Sequence, residues 1–475
     1  MHIALWDTRR RHVTKEFGAG FGMGAYHGLG GLRGKLIRRW YVRDRRPVAL
    51  AYAYLAGIFR QLGHSVEYAE DCLPDAADSY VFLPSLPTLD LEVAAIRQLR
   101  AKRPDAPILV AGVVAHTLPD EFDGLNVTLV RGEPEQLLWK LDEALAHGAG
   151  VFDAGRVADL DALPHPDWAP FRPRQFRVGY DFTQFPTALV QASRGCAFTC
   201  NYCPYILVEN RTRHRAPEAV VDEIARGMRT HRFRSFKFRD PLFGLNRRHL
   251  IGLIDNLGRL PHKIQFSIET RIDLLNREIL QELRDVGLTS ITVGVETPSD
   301  ETLREYRRKP IADDRQHEFI AACRALGIRT AAGFMIGFPG DTSESILDVL
   351  RYAKRLNPTF ANFNIVTPYP GTAFFAESTS NVSDAPWSHY DMYTPVMNYQ
   401  RLTRADVLQL HAKCFTSYYS RWPYLFDNAH LLWPWLRKLG LGRRFRTAHE
   451  ADAAASSRDR RPLRGPCSCG EQRAA

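Results

Sequence analysis

Three cysteines lie within eight residues of one another near the middle of this 475-residue chain: Cys196, Cys200 and Cys203. Cysteine thiolates are the usual ligands of iron–sulfur clusters, and this short spacing lets one loop bind three irons of one [4Fe–4S] cluster. The fourth iron would then be open to a substrate or cofactor. Zinc sites normally combine one close pair of ligands with a second pair, and no second pair lies nearby. The motif therefore favours a [4Fe–4S] cluster over a zinc site or free thiols.

The Cys-x3-Cys-x2-Cys spacing, with the aromatic Tyr202 directly before the last cysteine, resembles the signature of the radical S-adenosylmethionine (SAM) superfamily. The resemblance implies that the reduced cluster cleaves SAM and generates a 5′-deoxyadenosyl radical, which abstracts hydrogen from unactivated carbon. It also implies an electron donor such as flavodoxin or ferredoxin, and it makes Tyr202 a candidate SAM contact.

Composition excludes several classes of protein. No apolar run reaches the roughly 18 residues of a membrane-spanning helix, and the N-terminus lacks the pattern of a signal peptide. The eight cysteines do not look like a disulfide framework in a chain of this length. We therefore expect a cytoplasmic protein. The net charge of +10 attracts phosphates, but no nucleic-acid-binding motif accompanies it, so no specific nucleic-acid partner is expected.

The N-terminal third, residues 1–148, alternates short β-type runs with helical patterns. This alternation predicts a doubly wound, Rossmann-like α/β domain. The predicted strands are 2–6, 65–69, 80–83, 108–112 and 127–130, and the predicted helices are 47–62, 91–102 and 133–146. A glycine-rich insert over 9–46 is interpreted either as a lid over a cofactor or substrate or as a plain surface loop. The proline-rich residues 149–187 are predicted to be a linker.

The order of predicted strands, helices and short motifs in this N-terminal domain is similar to that of cobalamin-binding domains fused to radical SAM barrels. The resemblance implies cobalamin contacts at the carboxyl ends of the strands, with Ser85, Gly112 and Glu133 as candidates. Some members bind the cobalt through a histidine in an Asp-x-His-x-x-Gly loop. Here the corresponding stretch from Asp7 to His12 departs from that pattern, so histidine ligation of cobalt is not expected.

Residues 188–372 repeat a strand followed by a helix. The strands are predicted at 189–192, 235–238, 264–269, 290–295, 330–336 and 360–366, and the helices at 217–230, 248–259, 277–286, 315–326 and 343–355. Together with the cysteine motif, this pattern predicts the partial (β/α)6 barrel of radical SAM enzymes, whose chemistry lies at the carboxyl ends of the strands. The predicted fold class is thus α/β: a Rossmann-like domain, then this barrel, then a helical C-terminal region.

Polar residues follow successive predicted barrel strands, and the resemblance implies roles for them in binding SAM. Asp240 would accept a hydrogen bond from the SAM amino group, and Glu296 would bond the ribose hydroxyls. Arg271 would pair with the SAM carboxylate, because a guanidinium binds a carboxylate in a bidentate fork. Backbone around Ile336 and Pro339 would contact adenine. Each charged residue could instead be a helix cap or a solvated surface group.

The C-terminal region is divided into a helical cap over 373–450 and a polar tail over 451–475 that is predicted to be disordered. Aromatic and basic residues over 421–446 resemble an interfacial membrane segment. The alternative is a helical cap that packs on the open barrel. Possible peripheral contact with the inner membrane face is therefore a hypothesis.

The functional hypothesis is cobalamin-dependent C-methylation of a secondary-metabolite or lipid substrate. A cobalamin-free radical cyclisation or rearrangement is one alternative, and a non-catalytic iron–sulfur redox or iron sensor is another. The sequence names no general acid or base and does not identify the substrate.

Overall fold

The N-terminal domain is built on a parallel six-stranded sheet. The structure, a computed structural model, describes residues 1–10, 13–24, 46–72, 74, 76–208 and 211–428. The strand order is β2-β1-β3-β4-β5-β6. The strands are β1 His2–Asp7, β2 Ser65–Glu70, β3 Ser79–Phe82, β4 Ile108–Ala111, β5 Thr128–Gly132 and β6 Gly150–Gly155; the helices are Leu50–Gln61, Leu89–Lys102, Val113–Thr117 and Leu137–Ala146. The predicted Rossmann-like domain is confirmed.

The sixth strand corrects the predicted linker, which was placed over 149–187. Gly150–Gly155 pairs in parallel with β5, so the sheet continues past residue 148. It is an edge strand with alternating exposed and buried residues, and its short glycine-bounded run lacks the apolar character that marks β3 and β4. Beyond it, the chain passes over the helix Leu50–Gln61 so closely that a Cβ on Gly57 would stand 2.5 Å from the carbonyl oxygen of His165.

The second sheet is the predicted barrel of six parallel strands, in the order β14-β13-β12-β11-β10-β7. The strands are β7 Thr187–Val190, β10 Ser235–Phe238, β11 Gln265–Thr270, β12 Leu288–Glu296, β13 Arg329–Ile336 and β14 Phe360–Ile365; a small hairpin, β8 Ser193–Arg194 with β9 Arg213–His214, lies between the first two. The helices are Tyr205–Val208, Pro217–His231, Arg247–Gly258, Arg277–Asp285, Asp300–Glu305, Asp313–Ala325 and Ser343–Leu356. The predicted strand–helix repeat is confirmed.

Side chains of the barrel strands alternate between the surrounding helices and the lumen. On β12, Ile291, Val293 and Val295 are buried, whereas Thr292 and Gly294 between them are partly accessible. Because the helices cover the outer side of the barrel, we place the accessible residues on its inner side. The region that they face is called the lumen below.

Helices continue after the barrel, at Ala373–Glu377 and Arg404–Tyr419. The longer helix lies against β14, where the ring of buried His411 is 2.7 Å from the carbonyl oxygen of Phe363. Residues 1–421 form one compact unit and residues 422–475 another. In the second unit, Trp422–Asp427 is helical. The predictions for 429–475, including the disordered tail, and those for 25–45 of the insert lie outside the described residues.

No helix in the described part of the chain is both long and apolar enough to cross a bilayer.

Candidate active site at the carboxyl ends of the barrel strands

The three motif cysteines lie on the loop that follows β8. Cys196 and Cys200 are buried and Cys203 is partly buried. Burial, together with negative charge on Cys200 and Cys196, raises the pKa of Cys203 to about 12. The thiols are thus close enough to repel one another as thiolates, which suits a loop that binds a cationic metal centre. Within the described ranges, no three His, Cys, Asp or Glu side chains are grouped closely enough to hold one metal ion. In a [4Fe–4S] cluster each thiolate binds a different iron, and three thiols on one loop supply that donor set.

Asp240 secures the start of this loop. Its carboxylate accepts hydrogen bonds from the Ala192 amide at 3.1 Å and the Ser193 hydroxyl at 2.6 Å. Burial raises the pKa of Asp240 to about 6. The side chain that was predicted to bond the SAM amino group therefore already holds the strand that leads to the cysteines, and its SAM contact stays a prediction.

Arg271 lies beside the same loop, just after β11. Its guanidinium carbon is 4.5 Å from the ring centre of Phe198, between the first two cysteines. Nε and Nη2 donate to Asp273 at 2.9 and 3.0 Å. Nη1 is buried and has no hydrogen-bond partner. One nitrogen thus remains for a carboxylate next to the cysteines, whereas Asp273 already occupies the other two, and the predicted SAM contact stays a prediction.

Glu296 forms a partly buried ion pair with a residue that the sequence did not indicate. Its carboxylate lies 3.2 Å from Arg308 Nη2, which also donates to the Gly294 carbonyl at 2.6 Å. Arg308 also lies near Cys200, since negative charge on that thiol helps to raise the pKa of Arg308. The run of three basic residues at 307–309 was the available signal, but a basic run is usually a solvated surface. Glu296 has φ of 69°, an uncommon value that often accompanies function in non-glycine residues.

Tyr202 lies near this pair. Its hydroxyl is buried without a hydrogen-bond partner, and burial, followed by the negative charge on Glu296, raises its pKa well above the usual range. An unpaired buried hydroxyl normally costs stability unless a ligand or water satisfies it. Tyr202 therefore remains a candidate for cofactor contact.

The backbone that was predicted to contact adenine is already hydrogen-bonded. The Ile336 carbonyl accepts from the Val366 amide at 2.9 Å, and the Pro339 carbonyl from the Gln400 amide at 3.1 Å. Between them, the Gly337 and Phe338 amides donate to Asp341 Oδ2 at 2.8 and 2.9 Å. An adenine contact here would have to use the second lone pair of a carbonyl.

The three candidate cobalamin contacts have different surroundings. Gly112, with φ of 94°, has open space, since a Cβ would meet nothing nearer than Leu83 Cδ2 at 4.0 Å. Ser85 is fully buried, and its hydroxyl shares a 2.8 Å hydrogen bond with Thr88. Glu133 accepts hydrogen bonds from Arg194 and Arg213 at 3.1 and 2.6 Å. Only Gly112 keeps free space for a ligand, so the residues present fit cobalamin in part.

Arginines of the β8–β9 hairpin join the two sheets. Arg194 also bonds Glu135 Oε1 at 2.8 Å, and both glutamates are buried. Although burial acts to raise the pKa of Glu133, the hydrogen bond from Arg213 and the charges of Arg194 and Arg213 lower it overall. Glu133 is therefore a charged anchor between the N-terminal domain and the loop that carries the cysteines.

Residues 13–24 of the insert lie between the carboxyl edge of the N-terminal sheet and the barrel. Lys15 binds Asp7 at 2.8 Å and also Glu92, both in the N-terminal domain. The adjacent Glu16 accepts a hydrogen bond from the Leu50 amide at 2.8 Å, and its backbone carbonyl accepts one from Arg239, which follows β10. This segment is packed against both halves and is not a free surface loop.

The glycines of this segment allow close packing. A Cβ on Gly22 would stand 3.1 Å from the Ser85 Cβ, and one on Gly18 would stand 3.6 Å from Pro204, directly after Cys203. Phe21 stacks on Tyr369 with ring centres 5.0 Å apart. The cysteine loop and the Rossmann edge thus meet across one glycine-rich segment.

Residues 190–353 match the sequence profile of the radical SAM superfamily. The part of the chain that carries the cysteine motif and most of the barrel is therefore a radical SAM domain. Such a domain implies a [4Fe–4S] cluster and SAM as cofactors, a small-molecule substrate and a source of electrons. The predicted superfamily, enzyme class and these two cofactors are confirmed.

Two curated relatives each match more than half of the chain. An uncharacterised methyltransferase of Pyrococcus horikoshii is 25% identical over 313 residues, which are 62% of this chain and 67% of the relative. The anaerobic magnesium-protoporphyrin IX monomethyl ester cyclase of Cereibacter sphaeroides is 25% identical over 434 residues, which are 83% of this chain and 69% of the relative.

The fold is similar to that of OxsB, a cobalamin-dependent SAM radical enzyme solved with aqua-cobalamin and SAM. The TM-score is 0.62 at 13% identity, with 93% of this chain and 75% of that chain covered. At this identity the likeness shows the fold, which includes both the Rossmann-like domain and the barrel.

Proposed function

We propose that this radical SAM enzyme catalyses cobalamin-dependent C-methylation of a small molecule. The observation that carries the proposal is the junction of the two sheets. Arg194 and Arg213 tie the cysteine-bearing part of the barrel to Glu133 at the carboxyl end of β5. That edge is where doubly wound sheets bind ligands, so a cofactor held there would face the barrel. When bound, methylcobalamin supplies a methyl group to a carbon radical, and the methyltransferase name of the Pyrococcus relative supports this reaction.

For SAM, we propose that Arg271 binds the carboxylate through its unpaired Nη1, while Glu296 accepts hydrogen bonds from the ribose hydroxyls. Arg308 orients Glu296 through their 3.2 Å ion pair. Tyr202, Asp240 and the backbone at Ile336 and Pro339 complete the proposed contacts. The protein's task is to orient the cofactors and exclude water.

We propose a division into four parts on the basis of the two sheets. They are the Rossmann-like domain through β6, a linker to residue 186, the barrel, and a C-terminal helical region. Gly112 is the proposed cobalamin contact with the most room.

The test is anaerobic purification from cells supplied with cobalamin, followed by cluster reconstitution. We expect near-stoichiometric cobalamin and transfer of a trideuteromethyl group from labelled SAM into product. Cobalamin-free protein that still cleaves SAM would contradict cobalamin dependence. Protein that binds a cluster but neither binds nor cleaves SAM would favour an iron–sulfur sensor.

A second candidate is radical cyclisation. It is favoured by the cyclase of Cereibacter sphaeroides, which matches 83% of this chain, more than the Pyrococcus methyltransferase does. A product of unchanged carbon count, formed with 5′-deoxyadenosine and without the deuterated methyl group, would identify this reaction.

We further propose a cytoplasmic enzyme reduced by a flavodoxin or ferredoxin and in peripheral contact with the membrane. Trp422 and Phe426 are 72% and 73% exposed, which suits insertion of aromatic rings at headgroup level. The full chain should therefore float with anionic vesicles, whereas a chain that ends at residue 421 should not. Equal flotation of both would contradict the membrane contact.

A further inference from the structure

The barrel lumen has two adjacent layers of inward-facing, partly accessible residues. Glu269, Thr292 and Ala331 are register partners on β11, β12 and β13. Gly294, Gly333 and Asn362 are partners one layer closer to the carboxyl ends. In parallel strands, paired residues point to the same face of the sheet. These layers therefore form the wall that a substrate in the barrel would meet.

The two glycines of the second layer differ in what surrounds them. A Cβ on Gly333 would fit in ordinary van der Waals contact with the Val293 carbonyl oxygen at 3.7 Å and Asn364 Nδ2 at 3.8 Å. A Cβ on Gly294 would instead collide with Glu296 Oε1 at 2.2 Å. A methyl-sized group therefore has space at Gly333 and none at Gly294, beside the Glu296–Arg308 pair.

The wall around this space is polar. Asn362 accepts a hydrogen bond from the Tyr393 hydroxyl at 3.2 Å and donates to Asn364 at 2.7 Å. Each amide nitrogen carries two hydrogens, so donors remain for a ligand. The Thr292 hydroxyl has no hydrogen-bond partner in the described ranges, and Ala331 is the largest apolar side chain of the two layers.

Charged side chains line the layer of the lumen that lies nearer the amino ends of the strands. Glu269 pairs with Arg239 and lies 3.6 Å from Lys237, whose amine binds Asp181 at 3.0 Å. Glu16 also lies 3.6 Å from Arg239, so three carboxylates face two cations. Glu269 keeps acceptor capacity because a carboxylate offers about four lone-pair sites.

We propose that the substrate is a polar, water-soluble molecule that presents hydroxyl, amide or amino groups to Glu269, Thr292 and Asn362, and not a lipid hydrocarbon. A hydrocarbon in this space would remove water from these groups without replacing its hydrogen bonds, which is unfavourable. This inference rests on the proposed function, since it assigns the substrate of that same site.

The experiment uses the full chain, reconstituted with cluster and cobalamin, and a cell extract separated into aqueous and chloroform-soluble fractions. The readout is 5′-deoxyadenosine or S-adenosylhomocysteine released from SAM above the rate without extract. Stimulation by the aqueous fraction is expected. Stimulation by the chloroform-soluble fraction alone, or by neither, overturns the proposal. Incorporation of the SAM methyl group into product is measured separately and decides the proposed function.

Two lumen variants test the residues. Asn362→Leu and Thr292→Val remove polar groups at nearly constant volume, and each is expected to lower the stimulated rate by about tenfold while SAM binding is retained. Gly333→Ser should fold, because its Cβ has space, and should reduce stimulation by filling the lumen. Thr230→Val, on an exposed helix surface, is the matched control. Stimulation that is unchanged in Asn362→Leu and Thr292→Val would overturn the assignment of these residues.

Discussion

The guanidinium of Arg271 lies 4.5 Å from the ring centre of Phe198, within the loop that carries the three motif cysteines. A residue at the end of the third barrel strand is thereby fixed beside the cluster loop at the end of the first. The stacking and the two bonds to Asp273 hold the guanidinium plane, and Nη1 is left buried and unpaired. This arrangement preorganises a cation for a carboxylate without requiring the side chain to be ordered on binding.

Arg271→Lys should weaken SAM binding by at least about tenfold, because one ammonium group cannot bond Asp273 and also present a fixed, stacked donor to the SAM carboxylate. Equilibrium dialysis with labelled SAM measures the affinity, and iron content shows whether the cluster is intact. Arg277→Gln, at an exposed position on the next helix, is the control. Equal affinity in Arg271→Lys and the native enzyme would remove Arg271 from the SAM site.

Cys200→Ala should abolish reconstitution of the [4Fe–4S] cluster, because the remaining two thiols of the loop cannot hold three irons. Iron and sulfide content and the visible absorption band measure the cluster. Cys72→Ser changes an exposed thiol of the N-terminal domain and should keep full cluster content. A normal cluster in Cys200→Ala would show that Cys200 is not a ligand.

Arg194→Met should lower the free energy of unfolding by about 3 kcal/mol, because it leaves the buried carboxylates of Glu133 and Glu135 with less compensation. Urea denaturation measures the change. Arg304→Met is the control, since Arg304 forms an exposed pair with Asp300 whose contribution should be about 0.3–0.5 kcal/mol. Similar losses in both variants would show that the interdomain ion pairs do not stabilise the fold.

We expect ionisation of Asp240 to lower the free energy of unfolding as the pH rises through about 6. Burial raises the folded-state pKa of this carboxyl to about 6 from its ordinary value of 3.8, so the folded protein binds the proton more tightly than the unfolded chain. Ionisation therefore opposes folding, and its cost is fully present above the folded pKa. Asp240→Asn keeps an oxygen acceptor for the Ser193 hydroxyl and removes this cost.

The measurement for Asp240 is the difference in unfolding free energy between Asp240→Asn and the native protein in urea at several pH values. We expect the variant to gain stability relative to the native protein between pH 5 and pH 7. A difference that does not change with pH would contradict the raised pKa. The exposed Asp300→Asn serves as the control.

Much of the fold followed from local patterns. β3, β4 and the barrel strands are each four to nine residues long, and their buried apolar residues suffice to predict a strand. The observed bounds of these strands differ from the predicted bounds by only a few positions. β6 was missed because an edge strand with one exposed face has little apolar content. The packing of residues 13–24 was left open because glycine-rich sequence is compatible with either a mobile loop or close packing, and only the neighbouring surfaces decide between them.

Some residues of the candidate site could likewise be predicted from the sequence, and others could not. The spacing of Cys196, Cys200 and Cys203 identified the cluster loop because its ligands are local in sequence. Arg308 was missed because it reaches Cys200 across more than a hundred residues. Glu133 was predicted at a cofactor site, whereas the tertiary structure surrounds it with Arg194 and Arg213.

The sequence by itself determined the superfamily, the cysteine loop and the order of strands and helices, because these depend on short spacings and on periodic burial. Only the tertiary structure decided which charges are paired and which donors remain free: Asp240 with Ser193, Glu133 with Arg194, and the unpaired Nη1 of Arg271. The physical reason is that an ion pair or hydrogen bond depends on distance in space, and the partners here are brought together by the closure of the barrel and by its contact with the N-terminal sheet.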